Sequence, residues 1–286
     1  MKLKDIQNTF HNELDTIYNE EEVNSFFFML IGYYYNMTRI QLTMNSEYTI
    51  KDVKEILNAL ELLKQQKPIQ YIIGETEFFG LPFKVNENTL IPRPETEELV
   101  EWIISQQQIA NNQQLKILDI GTGSGCIAIS LAKNLPNAKV YALDVSKKAL
   151  VVAKQNADLN HVGIEFIEAD ILDSAIKIVS ASNKFDIIVS NPPYVREKEK
   201  QLMKPNVLEN EPHLALFVKD ENPLLFYETI SRFASQNLRK KGWLFFEINE
   251  YLGDDMIDLL NENSFRNIEL KQDIYKKDRM IKGIKG

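Results

Sequence analysis

The chain of 286 residues has a single cysteine, Cys126, and only three histidines, His11, His161 and His213, scattered along its length. One thiol excludes an intramolecular disulfide and suits a reducing compartment. Histidines so placed offer no metal-ligand spacing, so no metal is expected. Long apolar runs are missing too: the most hydrophobic stretch, residues 26–31 followed by 33–35, falls well short of the roughly 20 residues that cross a bilayer. The opening Met-Lys-Leu-Lys-Asp-Ile lacks the apolar core and small-residue cleavage site of a secretory signal. A cytoplasmic protein without membrane attachment is the expectation. Basic charge is in deficit, with 33 Lys and Arg against 41 Asp and Glu and a net charge of −8. Nucleic-acid affinity rests largely on cations facing phosphates, so a duplex substrate is disfavoured.

What is present is ordinary for a globular protein, 44% hydrophobic and 26% charged, at a length with room for two domains. Leu3, Ile6, Phe10, Leu14 and Ile17 share one helical face, as do Val53, Ile56, Leu57, Leu60 and Leu63. With the aromatics Phe26, Phe27, Phe28, Tyr33, Tyr34 and Tyr35 as core between them, residues 1–67 read as a small helical domain. Seven basic residues face ten acidic ones there. From Pro68 the texture changes to short β-prone runs at 70–73, 77–79 and 83–85, broken by Gly74, Gly80 and Pro82. Residues 68–90 therefore read as a hairpin-like connector. Residues 91–286 form the remaining domain, opening on Ile91-Pro92-Arg93-Pro94-Glu95-Thr96-Glu97-Glu98. The acids of that segment suit the first turn of a helix.

Strands and helices then alternate. A strand at 116–120 runs into Gly121-Thr122-Gly123-Ser124-Gly125 and a helix from Cys126. Glycines that permit close approach, beside free N–H groups at a helix start, make a nucleotide-cofactor cradle. The next strand ends at Asp144, about 20 residues past the loop, where a carboxylate can hold ribose hydroxyls. NAD and S-adenosylmethionine are both admissible. The absence of a glycine at the third position of the dinucleotide fingerprint shifts the balance toward S-adenosylmethionine. Asp170, after a third strand, is placed to accept adenine amino hydrogens, though an Asp there is also a common turn residue. Cys126, in a first helical turn, is where a thiol pKa can be lowered; packing beneath the loop is its simpler role.

The run Phe185-Asp186-Ile187-Ile188-Val189-Ser190 stops abruptly at Asn191-Pro192-Pro193-Tyr194. Consecutive β-branched residues read as a buried parallel strand, and the prolines end it in a rigid turn. Asn191 is left at a carboxyl strand end, where open α/β sheets bind ligands. Its side-chain oxygen and the Pro192 carbonyl can accept from one planar NH2 group, while the Tyr194 ring stacks on the group that carries it. Residues 196–212 read as a charged, irregular loop, a candidate lid. Helices at 224–238 and 254–263, a strand at 242–248 and a final antiparallel pair complete the chain.

With these motifs in this order, the chain resembles the class I methyltransferases, and among them the protein-(glutamine-N5) methyltransferases that modify peptide chain release factors. The resemblance also covers Pro68-Ile69-Gln70-Tyr71-Ile72-Ile73-Gly74, Ile91 to Glu97, Asn210-Glu211-Pro212, Phe226-Tyr227 and Lys277-Asp278-Arg279. It implies a Rossmann-like α/β fold with a seven-stranded sheet, a small N-terminal helical domain that helps grip the release factor, and S-adenosylmethionine as cofactor. Carried over by position, Gly121, Thr122, Gly123, Ser124, Gly125 and Asp144 hold the cofactor and Asp170 and Ile171 flank its adenine. Asn191, Pro192, Pro193 and Tyr194 hold the glutamine of a Gly-Gly-Gln tip, with Asn191 also beside the cofactor. Nothing demands more than a monomer. Two other readings stand beside this one: an N6-adenine methyltransferase, since adenine presents the same planar NH2, and a non-catalytic module that senses S-adenosylmethionine. The acidic appended domain argues against the first, and the intact Asn191 and Tyr194 against the second.

Overall fold

The computed structural model describes residues 1–44, 48–107, 114–173 and 184–286. The chain separates into two compact units, Met1–Gly74 with Lys204–Asn210, and Glu75–Met203 with Glu211–Gly286.

In the smaller unit, helices Leu3–Leu14, Glu20–Tyr35, Arg39–Met44, Lys54–Lys64 and Ile69–Ile73 succeed one another. Apolar residues at three- and four-residue spacing turn inward: Ile6, Phe10 and Leu14 from the first helix, Phe27, Leu30 and Ile31 from the second, Ile56, Leu60 and Leu63 from the fourth are buried. Each such side chain contributes about 1.5–3 kcal/mol on burial, so this core holds the unit more than helix propensity does. Asn19 starts the second helix by accepting from the Glu22 N–H at 2.9 Å, and Glu20, Glu21 and Glu22 complement its positive end. Ile17, expected on the buried face, lies past the end of its helix and is 39% exposed. The aromatic run also divides, with Phe27 buried and Tyr33 exposed, because successive helical residues face different ways. Residues 70–73 are helical where β-prone composition suggested a strand. Pro68 presets the first turn, Gly74 closes the last at φ +83°, and Ile69 packs into the helical core.

The larger unit opens with a hairpin of β1 (Glu75–Phe78) and β2 (Leu81–Lys84). Its later strands are β3 (Lys116–Ile120), β4 (Lys139–Asp144), β5 (Ile164–Glu168), β6 (Phe185–Ser190), the short pair β7 (Val195–Arg196) and β8 (Phe217–Val218), β9 (Leu238–Glu247), β10 (Phe265–Gln272) and β11 (Asp278–Lys285). Among the described residues the main sheet has seven strands in the order β10-β11-β9-β6-β3-β4-β5. Neighbours from β9 through β5 are parallel, while β11 runs against both β9 and β10.

The strand period of two divides the side chains between two apolar layers. Leu118, Ile188, Leu244 and Phe246 point to the face covered by helices Leu225–Asn237 and Gly253–Glu262. Ile117, Ile187, Val189 and Phe245 point to the face covered by Pro94–Gln107 and Cys126–Asn134. Every residue of β6 is buried, which is why Ile187, Ile188 and Val189 follow one another at its centre without a polar residue between them. From β3 the chain winds outward through β4 and β5, then returns to β6 on the other side of β3. That reversal opens a crevice at the carboxyl ends of β3 and β6. Residues 196–212, expected to be irregular, contain a 3-10 turn at Glu197–Leu202 and a helix at Pro205–Asn210. Arg196 and Glu199 start the former, with the Arg196 N–H donating to Glu199 Oε2 at 2.9 Å. No helix among the described residues is long and apolar enough to cross a membrane.

Candidate active site

At the crevice, β3 gives way to the glycine loop. Gly121 and Gly123 sit at φ +74° and +55°, and a Cβ on either would meet nothing within 4 Å. The space above both is open to a ligand. Gly125 differs: at φ +85°, its added Cβ would stand 2.9 Å from Ile129 Cδ1 and 3.2 Å from Ala153 Cβ. It is the closure of the loop onto the helix beneath. Thr122 and Ser124 are buried; Thr122 Oγ1 donates to Asp119 Oδ2 at 2.6 Å. Burial pushes the Asp119 carboxyl up to about 7, against the Thr122 hydrogen bond and with help from the charge of Asp144. The Cys126 thiol is pushed up to about 12 by burial and by Asp119, so the helix start does not activate it. Packing prevails there because the sulfur sits among apolar side chains.

Asp144, the last residue of β4, accepts from the Gly123 N–H at 2.8 Å and from the Ser146 N–H at 2.8 Å, one bond on each oxygen. Burial raises its pKa, and the backbone amides of Ser146, Gly123 and Val145 pull it back. Each oxygen keeps a lone pair for a further donor. Asp170 is exposed and closes an Asx turn, Oδ1 accepting from the Leu172 N–H at 2.9 Å, while Ile171 is buried beside it. Together Gly121, Gly123, Asp144, Asp170, Ile171, Asn191, Pro192 and Pro193 line one cavity of about 210 Å³, whose remaining wall includes Leu90, Leu214, Phe226 and Ile230. Carboxylate acceptors at one end, open glycine backbone and apolar walls fit a nucleoside-bearing cofactor. Thr122, Ser124, Gly125 and Tyr194 do not line the cavity.

Ser190, at the end of β6, anchors its Oγ to the Ile120 carbonyl at 2.7 Å, and Asn191 comes next, at the crevice. Behind Asn191 lies a polar group that sequence reasoning did not find. Asn191 Nδ2 donates to Thr96 Oγ1 at 3.4 Å; Thr96 Oγ1 donates to Glu247 Oε2 at 2.6 Å; the Tyr194 hydroxyl donates to Glu247 Oε1 at 3.1 Å. Glu247 ends β9 and is 1% exposed. Burial raises its pKa, against the hydroxyls of Thr96 and Tyr194 and the charge of Arg279. Tyr194 is half-buried with its hydroxyl turned inward, and burial beside Glu247 moves that hydroxyl well above the ordinary tyrosine value. Asn249 donates to the Tyr194 carbonyl at 3.2 Å, fixing the turn from outside. A carboxylate closing the apolar run Leu244-Phe245-Phe246 was the one sequence signal for Glu247.

The segment before helix Pro94–Gln107 is tied to the far side of the crevice. Glu211, 3% exposed, accepts from Arg93 Nη2 at 2.6 Å and from the Ile91 N–H at 3.2 Å. Of the acids assigned to the helix start, Glu97 accepts from the Phe79 N–H at 2.7 Å and Glu98 from the Ile274 N–H at 3.0 Å. They fasten the hairpin and the β10–β11 turn as well as facing the helix dipole.

A parallel sheet with β11 alone reversed, a glycine cradle after its first strand and acids at the next strand ends define a Rossmann-like, S-adenosylmethionine-dependent methyltransferase. The Methyltransferase small domain family matches residues 103–215. A methyltransferase from Pyrococcus furiosus has the same fold, with a TM-score of 0.52 at 16% identity over 81% of this chain and 96% of that one. The release factor glutamine methyltransferase of Flavobacterium psychrophilum is 54% identical over 285 residues, 99% of each chain. That of Bacteroides thetaiotaomicron is 44% identical over 94% of this chain and 95% of its own. The chain belongs to the release factor glutamine methyltransferase family.

Proposed function

We propose that the chain transfers a methyl group from S-adenosylmethionine to the side-chain amide nitrogen, N5, of the glutamine in the Gly-Gly-Gln motif of peptide chain release factors. The observation that carries this reading is the single cavity shared by the glycine loop, Asp144 and Asn191-Pro192-Pro193. Gly121, Gly123 and Asp144 hold the cofactor, with Thr122, Ser124 and Gly125 setting the loop, while Asp170 and Ile171 flank the adenine. S-adenosylmethionine brings an electrophilic methyl carbon on a sulfonium.

A carboxamide nitrogen is a reluctant nucleophile because its lone pair is delocalised into the carbonyl. The Asn191 side-chain oxygen and the Pro192 carbonyl accept its two hydrogens, favour a pyramidal nitrogen and spread the positive charge that develops there. Tyr194 keeps the turn in place from behind, and Pro193, which lines the cavity, sets the plane in which the amide lies. Holding nitrogen and carbon in line contributes about 7–11 kcal/mol of the barrier reduction. The surplus proton leaves after transfer, so no general base is needed first.

Residues 1–67 help grip the protein substrate, residues 68–90 connect, and residues 91–286 carry the chemistry. A cytoplasmic monomer acting on protein rather than nucleic acid is in keeping with the net charge of −8 and the lone cysteine. Incubation with purified release factor and S-adenosylmethionine, then mass spectrometry of the Gly-Gly-Gln peptide, tests the reading. One added methyl on glutamine is expected; methylation of an adenine-containing oligonucleotide with none on the factor would overturn it.

A further inference from the structure

An asparagine amide presents an acceptor at one end and two donors at the other, and only the acceptor suits the role proposed for Asn191. Its orientation is decided by hydrogen-bond direction. Thr96 has one hydroxyl proton, and at 2.6 Å that proton goes to Glu247 Oε2. The other oxygen of the carboxylate takes the proton of Tyr194 at 3.1 Å. Burial works against ionisation of Glu247, and the hydroxyls of Thr96 and Tyr194 and the Arg279 charge favour it; ionised, the carboxylate can only accept, so both hydroxyls point at it. Whatever approaches Thr96 Oγ1 from the remaining side must therefore donate, and the group there is the Asn191 amide at 3.4 Å. Its NH2 end is turned back to Thr96 and its oxygen forward to the cavity. Neither Thr96 nor Glu247 lines that cavity, and both are nearly inaccessible, at 2% and 1% exposure.

We infer, resting on the proposed glutamine methylation, that Glu247 and Thr96 are positioning residues that fix which end of the Asn191 amide meets the substrate. Thr96 lies just after the Ile91-Pro92-Arg93-Pro94 segment and Glu247 ends β9, so the relay joins three separate parts of the unit at one carboxamide. Replacing Glu247 by glutamine puts a donor into the relay. If that donor faces Thr96, the hydroxyl turns its proton toward Asn191, and the amide flips to oppose an N–H of the substrate with its own NH2.

The test compares E247Q, T96A, T96S and the double variant T96A/E247Q with the wild type and N191A. Readouts are kcat and KM on purified release factor, S-adenosylhomocysteine affinity by calorimetry, and melting temperature. Expected for E247Q and T96A is a fall in kcat of about 10²-fold, the scale of losing one preorganised polar contact, with S-adenosylhomocysteine affinity unchanged. T96S, which keeps the hydroxyl, retains most of the turnover, and the double variant is no worse than the weaker single one because both break one relay. Should E247Q fail to fold, the T96A and T96S pair decides alone. Wild-type kcat in T96A alongside a collapse in N191A overturns the inference and leaves the assignment of Asn191 standing. Losses that track melting temperature and are not restored in T96S also overturn it, as a merely structural role. No methylation of release factor by the wild type removes the inference together with the reading beneath it.

Discussion

A primary amide resists alkylation, and the proposed reaction assigns Asn191 to overcome that, at the end of a fully buried strand with Ser190 pinned to the Ile120 carbonyl beneath it. Asn191→Ala is expected to raise the methyl-transfer barrier by about 2.7–4 kcal/mol, measured as kcat on release factor, with S-adenosylhomocysteine still bound. Near-normal turnover would remove Asn191 from the chemistry. Asp119 makes a prediction of the opposite kind, about stability. Its carboxyl rises from 3.8 to about 7 on folding because it is buried. The folded state therefore holds its proton more tightly than the unfolded one. That stabilisation is fully present below about pH 4 and fades as pH climbs to about 7. Asp119→Asn cannot ionise, so urea midpoints of wild type and variant should diverge over this window, the wild type losing stability with rising pH relative to the variant. Parallel curves would show that Asp119 does not titrate there.

At the scale of elements, the loop between β3 and helix Cys126–Asn134 depends on Gly125. An alanine there would have to hold a left-handed backbone, at a cost of about 1–2 kcal/mol, and press its Cβ to 2.9 Å from Ile129 Cδ1. Gly125→Ala should lower stability in urea by at least that amount and weaken S-adenosylhomocysteine binding, since the neighbouring Gly123 N–H is held by Asp144. A variant as stable and as tight as wild type would mean that the loop closes some other way.

For the whole molecule, the division into two units separates two kinds of failure. All the cavity-lining residues belong to the larger unit. Leu60 is 3% exposed in the core of the smaller one. Leu60→Ala should destabilise that unit by about 2–5 kcal/mol and weaken KM for the release factor, while calorimetric affinity for S-adenosylhomocysteine stays unchanged. A parallel loss of cofactor affinity would show that the smaller unit supports the cavity.

The amino-acid sequence alone determined the parts of this protein whose causes are local. Consecutive Ile187, Ile188 and Val189, the glycines before Cys126, Asp144 at a strand end and the prolines after Asn191 each impose backbone geometry within a few residues, and each stands where its pattern predicts. Composition misled where packing overrode propensity: residues 70–73 look β-prone, yet they coil into a helix because Ile69 finds a helical core. Tertiary structure alone decided the company Asn191 keeps. Thr96 and Glu247 are 151 positions apart and Ile91 and Glu211 are 120 apart. Such pairings depend on strand order and on where the sheet reverses, so no short window of sequence contains them. Hydrogen-bond direction, and with it the end of an amide that faces a substrate, exists only once those distant groups meet out of reach of water.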